Sequence, residues 1–135
     1  MGCIFCEIAQ RPEEEMVRII EFKHDFYAMY VLTPESYGHF IVVPIKHFAE
    51  LNDMKNDYFS QYTLEIKWLA SRITDDLGAD AYVLKINNKV FLLNESDKNH
   101  VGHIHCHVIP CYKEDRISNT ETTGLRYFNS LPKLC

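Results

Sequence analysis

Gly102-His103-Ile104-His105-Cys106-His107-Val108-Ile109-Pro110 is the stretch on which the reading of this chain turns. Alternation of imidazoles with apolar residues is the period-2 pattern of a β-strand. It puts His103, His105 and His107 on one face and sends Ile104, Cys106 and Val108 toward a core. One lone histidine in a strand is usually structural; three in register point to a site. Two chemistries fit. A metal can be shared by two histidines at i and i+2. It cannot easily be shared by all three, because a rise of ~3.3 Å per residue separates His103 from His107 by about 13 Å. The other is work on a phosphate, in which one neutral imidazole attacks phosphorus and a neighbour binds the phosphoryl oxygens.

The rest of the chain supplies partners for this strand. Val17–Phe22 and Phe26–Leu32 read as a hairpin around Lys23-His24-Asp25. A Pro- and Gly-containing loop over residues 33–38 leads to His39–Pro44, an apolar run suited to a buried central strand. One long helix follows. Phe59, Tyr62, Ile66, Leu69, Ile73 and Leu77 form its apolar stripe, Asn56 or Asp57 caps its start, and Gly78 stops it. Tyr82–Ile86 reads as a further strand, Asn87-Asn88-Lys89 as a turn, and Val90–Leu93 as another strand. Strands with one main helix and no βαβ alternation predict an α+β domain with a largely antiparallel sheet. Residues 1–112 form the domain in this reading, and 113–135 a polar C-terminal tail.

The composition bounds the function. A chain of 135 residues with 47% hydrophobic and 24% charged residues is one globular domain. A net charge of −5 argues against a partner that is a nucleic-acid polymer. No apolar run approaches the ~20 residues of a membrane span, so no membrane partner is expected. The five cysteines (Cys3, Cys6, Cys106, Cys111, Cys135) are odd in number, which argues against a disulfide framework and for a reducing, cytoplasmic setting. Cys3-x-x-Cys6 has metal-knuckle or redox spacing, with no βαβ pattern around it to favour redox. Met1-Gly2-Cys3 suggests lipidation only faintly, since Cys6 stands where a myristoylation motif has Ser or Thr.

The triad segment resembles the signature of the histidine triad (HIT) superfamily of nucleotide hydrolases and transferases. CIFCEI over residues 3–8 is similar to the family's N-terminal zinc-knuckle version. TPESYGHFIVVPIKHF over 33–48 is similar to its central segment, and LGAD over 77–80 also matches. Order and spacing make the resemblance specific from Cys3 to about Tyr112.

It implies a HIT-like fold, a five-stranded antiparallel sheet with one long helix packed on it, commonly in a homodimer. It implies that His105 is the nucleophile of a nucleotidyl-histidine intermediate and that His107 hydrogen-bonds the phosphate or the leaving group. Retention of His107 favours the hydrolase branches, since the uridylyltransferase branch has Gln there. His103 becomes the fourth ligand of a structural zinc beside Cys3, Cys6 and His47, a closed tetrahedral set. His39 matches as well, with a structural hydrogen bond as its role.

Ile4, Phe5, Ile8, Met29 and Leu32 are implied as the base pocket. A nucleotide-contacting Asn is matched by Asn87 on the LGAD alignment or by Asn94 on the Asn-Glu alignment. Asn99 replaces a family Gln, and His100 replaces a Ser or Thr that helps the leaving group, where an imidazole suits a general acid. Val31 stands where many members carry a ribose-binding Asp. The expected substrate is a purine mononucleotide derivative, either a phosphoramidate or a dinucleoside polyphosphate. The alternative is a nucleotide-binding or partner-binding protein with weak or vestigial catalysis.

Overall fold

The computed structural model describes residues 3–93, 102–113 and 124–134. Five strands form one antiparallel sheet: β1 (Ile19–Phe22), β2 (Phe26–Tyr30), β3 (Phe40–Pro44), β4 (Ala81–Ile86) and β5 (Cys106–Cys111), in the order β1-β2-β3-β5-β4. The architecture is α+β, as the sequence pattern predicts. β2 (FYAMY) and β3 (FIVVP) are buried at every position because both faces of the sheet are covered.

The long helix, α2 (Asn56–Leu77), covers one face. Tyr62, Ile66, Leu69 and Ile73 on α2 meet Ile20, Ala28, Val42, Ile104, Cys106 and Val108 from the sheet side. Phe59 departs from the predicted stripe: it is 37% exposed, and Ala70 and Thr74 are buried instead. The helix begins at Asn56, earlier than a cap at Asn56 or Asp57 would place it, with Lys55 at the cap position. It ends at Gly78, whose left-handed φ of 74° suits a residue without Cβ.

The opposite face carries a smaller cluster of Ile8, Ile19, Tyr27, Met29, Ile41 and Val43. A short helix, α1 (Ile4–Gln10), lies there. It buries Ile8 and accepts the Tyr27 hydroxyl at the Phe5 carbonyl, 2.8 Å away.

Three stretches differ from the sequence reading. Val90–Leu92 is a 3-10 turn, not a strand. Lys89 enters it with a left-handed φ of 64°, which breaks the extended run after β4. The triad strand begins at Cys106, not Gly102; the chain bends at Gly102 and His103, and the Ile104 N–H donates to the Phe48 carbonyl at 2.7 Å. The polar tail includes α3 (Gly124–Ser130), where Tyr127 and Phe128, with Leu131 beyond, are buried in the main core. The Gly38 N–H donates to the Tyr127 hydroxyl, 3.0 Å away, and ties that segment to the loop before β3. Among the described residues no helix is long and apolar enough to cross a membrane.

Candidate functional site

The triad divides into two environments. His103 is 1% exposed and turns toward the N-terminal segment. Its Nε2 lies 2.8 Å from the Pro44 carbonyl, so that nitrogen carries the proton and Nδ1 carries the lone pair. Nδ1 sits 3.3 Å from Cys3 Sγ, 3.5 Å from Cys6 Sγ and 3.1 Å from His47 Nδ1. Cys6 Sγ is 3.3 Å from His47 Nδ1. All four donor atoms lie within 4.8 Å of one another. Tetrahedral coordination at zinc bond lengths gives donor–donor edges of about 3.3–3.8 Å, so the cluster has the dimensions of a closed metal site.

The donor chemistry agrees. Burial holds His103 down to about 4, neutral as a ligand must be. Partial burial, with the Cys3 sulphur beside it, pushes the Cys6 thiol up to about 11. The Cys6 thiol therefore resists ionisation unless a cation sits beside it. The Pro44 carbonyl is the outer partner that orients the His103 ring.

His105 and His107 face a different space, a cavity of about 480 Å³ on the α1 side of the sheet. Ile4, Phe5, Ile8, Met29 and Leu32 all line it, as does Val31. The Phe5 ring is 4.9 Å from the His105 ring, and the His105 and His107 rings are 4.9 Å apart, edge to face. His105 Nδ1 lies 2.9 Å from the His103 carbonyl, which fixes the proton on Nδ1 and the lone pair on Nε2.

The neighbouring ring takes the opposite tautomer. The Glu35 backbone N–H donates to His39 Nδ1 at 3.0 Å, so the His39 proton is on Nε2. That nitrogen is 2.9 Å from His107 Nδ1 and donates to it. A neutral His107 then carries its own proton on Nε2. The two imidazoles thus offer the cavity one basic nitrogen and one N–H, assigned from the hydrogen-bond network.

His39 is 2% exposed, and burial pulls it down to about 4, below its unfolded value near 6.5. Its neutral form contributes stability that is complete above about pH 6.5 and is lost as pH falls toward 4. Denaturant titrations from pH 7 to 4.5 should show a loss of about 2 kcal/mol attributable to this group. The slope should be shallower in His39→Gln. An unchanged slope in the variant assigns the loss to other residues.

Not every expected residue reaches the cavity. Asn87 follows β4, half-buried and outside the cavity lining, and its neighbour Asn88 accepts from the Leu51 N–H at 2.8 Å. Asn94, Asn99 and His100 lie outside the described residues. The sequence reading passed over Arg18, Glu35 and Thr33, which also line the cavity. Glu35 sits in the quoted TPESYGH segment, yet nothing in its type marks it. Arg18 carries no local signal at all and becomes visible only through strand register.

The HIT domain matches residues 11–114. An adenosine 5'-monophosphoramidase of Saccharomyces cerevisiae is 30% identical over 110 residues, covering 81% of this chain and 62% of that protein. A hypothetical histidine triad nucleotide-binding protein of Sulfolobus tokodaii superposes with a TM-score of 0.76 at 24% identity, covering 95% of this chain and 85% of the other. A Zn-bound histidine triad family protein of Mycobacterium smegmatis has a TM-score of 0.72 at 23% identity, covering 97% and 90%. At these identities the two structures speak for the fold.

Proposed function

The chain belongs to the HIT domain family, and on that premise we propose that it is a zinc-containing hydrolase of nucleoside monophosphate derivatives, working at the α-phosphate through a nucleotidyl-histidine intermediate. The observation that carries this reading is the pairing of opposite tautomers at the cavity: His105 with its lone pair on Nε2, His107 with its N–H on Nε2.

His105 Nε2 attacks the α-phosphorus and forms a P–N bond. The bond from phosphorus to the leaving amine or phosphate breaks with its electron pair going to that group, which takes a proton from solvent water; the water that attacks in the second step gives one back. His107 directs its N–H at a phosphoryl oxygen or at the bridging atom, where negative charge gathers in the transition state. Water then cleaves the P–N bond to His105, releasing the nucleoside monophosphate and restoring the imidazole. The apolar cavity walls Ile4, Phe5, Ile8, Met29 and Leu32 hold the base. The name of the yeast relative supports a phosphoramidate as substrate; a dinucleoside polyphosphate is the second candidate.

Cys3, Cys6, His47 and His103 would hold zinc as a structural ion with no open position. The zinc-bound Mycobacterium smegmatis structure supports that identity. β4 is an edge strand with Val83 and Leu84 half exposed, an apolar edge of the kind that pairs with a second copy, which supports a homodimer. Four described cysteines are unpaired, in keeping with a reducing, cytoplasmic setting.

The second reading, binding with weak catalysis, draws on Val31. It lines the cavity and has no acceptor for ribose hydroxyls. A panel of adenosine and guanosine phosphoramidates and dinucleoside polyphosphates separates the two. Hydrolysis with transient nucleotidylation of the protein is the expected result. Tight nucleotide binding with no turnover anywhere on the panel selects the second reading.

A further inference from the structure

The cavity contains a cation that the chemistry above leaves unused. Arg18, just before β1, is 8% exposed and lines the cavity beside Ile8 and Met29. Its Nε donates to Glu15 Oε2 at 3.1 Å, and its NH2 faces Met29 Sδ at 3.9 Å, a weak acceptor. Glu15 and the Met29 sulphur are its partners among the described residues. A guanidinium has five N–H donors in a rigid fork, so these two contacts leave donors of the fork over for a ligand in the cavity.

Sheet register says what reaches it. His107 is opposite Ile41, Ile41 opposite Met29, and Met29 opposite Ile19, the residue after Arg18. These four form one lateral row on the cavity face. Three inter-strand steps of about 4.8 Å put the β1 end of the row about 14 Å from the His107 end. With the α-phosphate at the imidazoles, the sugar spans the middle and the base arrives at Met29 and Arg18. A second phosphate would leave toward solvent from the imidazole end, not along the row.

We infer that Arg18 reads the edge of the nucleobase and selects a 6-oxopurine, guanine or hypoxanthine, over adenine. Guanine and hypoxanthine present two adjacent acceptors, N7 and O6, which match the two donors of a guanidinium fork. Adenine replaces O6 with an amino group, so donor meets donor. Apolar neighbours exclude water and sharpen this difference. The inference rests on the nucleotide reading above, and deepens it by naming the base.

Calorimetric titration of the whole protein with GMP, IMP and AMP tests it. GMP and IMP should bind more tightly than AMP by at least about fivefold. Arg18→Met should erase that ratio chiefly by weakening GMP and IMP. Arg18→Lys keeps the charge without the fork and should lose most of the preference. The wild-type ratio decides even if a variant does not fold. Binding of all three with equal affinity overturns the base assignment and leaves the nucleotide reading standing. Binding of none overturns both.

Discussion

His105→Ala is expected to lower kcat/KM by at least about a thousandfold on every P–N or P–O substrate that the wild-type protein hydrolyses. The size follows from the route. A covalent intermediate divides a difficult displacement into two easier ones, and alanine removes the group that both steps use. Water would have to attack phosphorus directly, positioned only by the cavity. Residual catalysis from binding and from the His107 N–H survives, so the loss is not total.

The same substitution should spare binding. His105 is one wall among many: α1, Arg18, β2 and the loop after β2 supply most of the lining that would contact the nucleotide. Calorimetry on His105→Ala should therefore find GMP affinity within about tenfold of wild type, since a truncated contact typically costs under 1.4 kcal/mol outside a hot spot. Rapid quenching with mass analysis should find a nucleotidyl adduct in wild type and none in the variant. Equal turnover by the two proteins would sink the mechanism. Lost turnover together with lost binding would mean that the imidazole shapes the pocket rather than attacks phosphorus.

Much of this site was legible before any coordinate. The triad pattern needed only the period of a strand, and the separation of His103 from His107 already denied a shared metal. Ile104, Cys106 and Val108 fell on the core face as alternation requires. The helix stripe was readable because α2 runs for 22 residues, long enough for a period to stand out. α1 has 7 residues and one buried side chain, too few for any periodicity, so its helix was invisible. Val90–Leu93 misled because β-branched and aromatic residues favour strands. The local fact that overrode this is the left-handed Lys89, which no residue type announces. Arg18 was missed for a deeper reason. A cation beside an acidic run reads as solvated surface, and only pairing of β1 with β2 carries it to the far end of the His107 row.

Removal of the metal is the second change expected to act strongly, and it should reach the cavity through α1. An isolated helix of 7 residues is unstable in water. The Cys3 N-cap position makes no side-chain cap hydrogen bond, so the ordinary device for starting a helix is missing. What holds α1 is Ile8, the Tyr27 hydroxyl on the Phe5 carbonyl, and the Cys3 and Cys6 sulphurs beside His47 and His103. A metal held by these four donors would close a loop between the N-terminal segment and the sheet.

Cys3→Ser/Cys6→Ser protein should bind zinc far below one equivalent and melt at least about 10 °C lower, a shift corresponding to a few kcal/mol in a domain of this size. The sheet and α2 have their own core, so the fold should survive, unlike that of a small zinc finger. Ile4, Phe5 and Ile8 are walls of the cavity, so KM should rise by about tenfold or more while kcat falls less. Chelation of the wild-type protein should reproduce that split, and added zinc should reverse it. A drop confined to kcat would instead mean that the metal acts on His105 through the His103 carbonyl that holds its Nδ1 proton. Full zinc content in the double variant would remove both cysteines from the metal site, leaving the closeness of four donor atoms to be explained by packing alone.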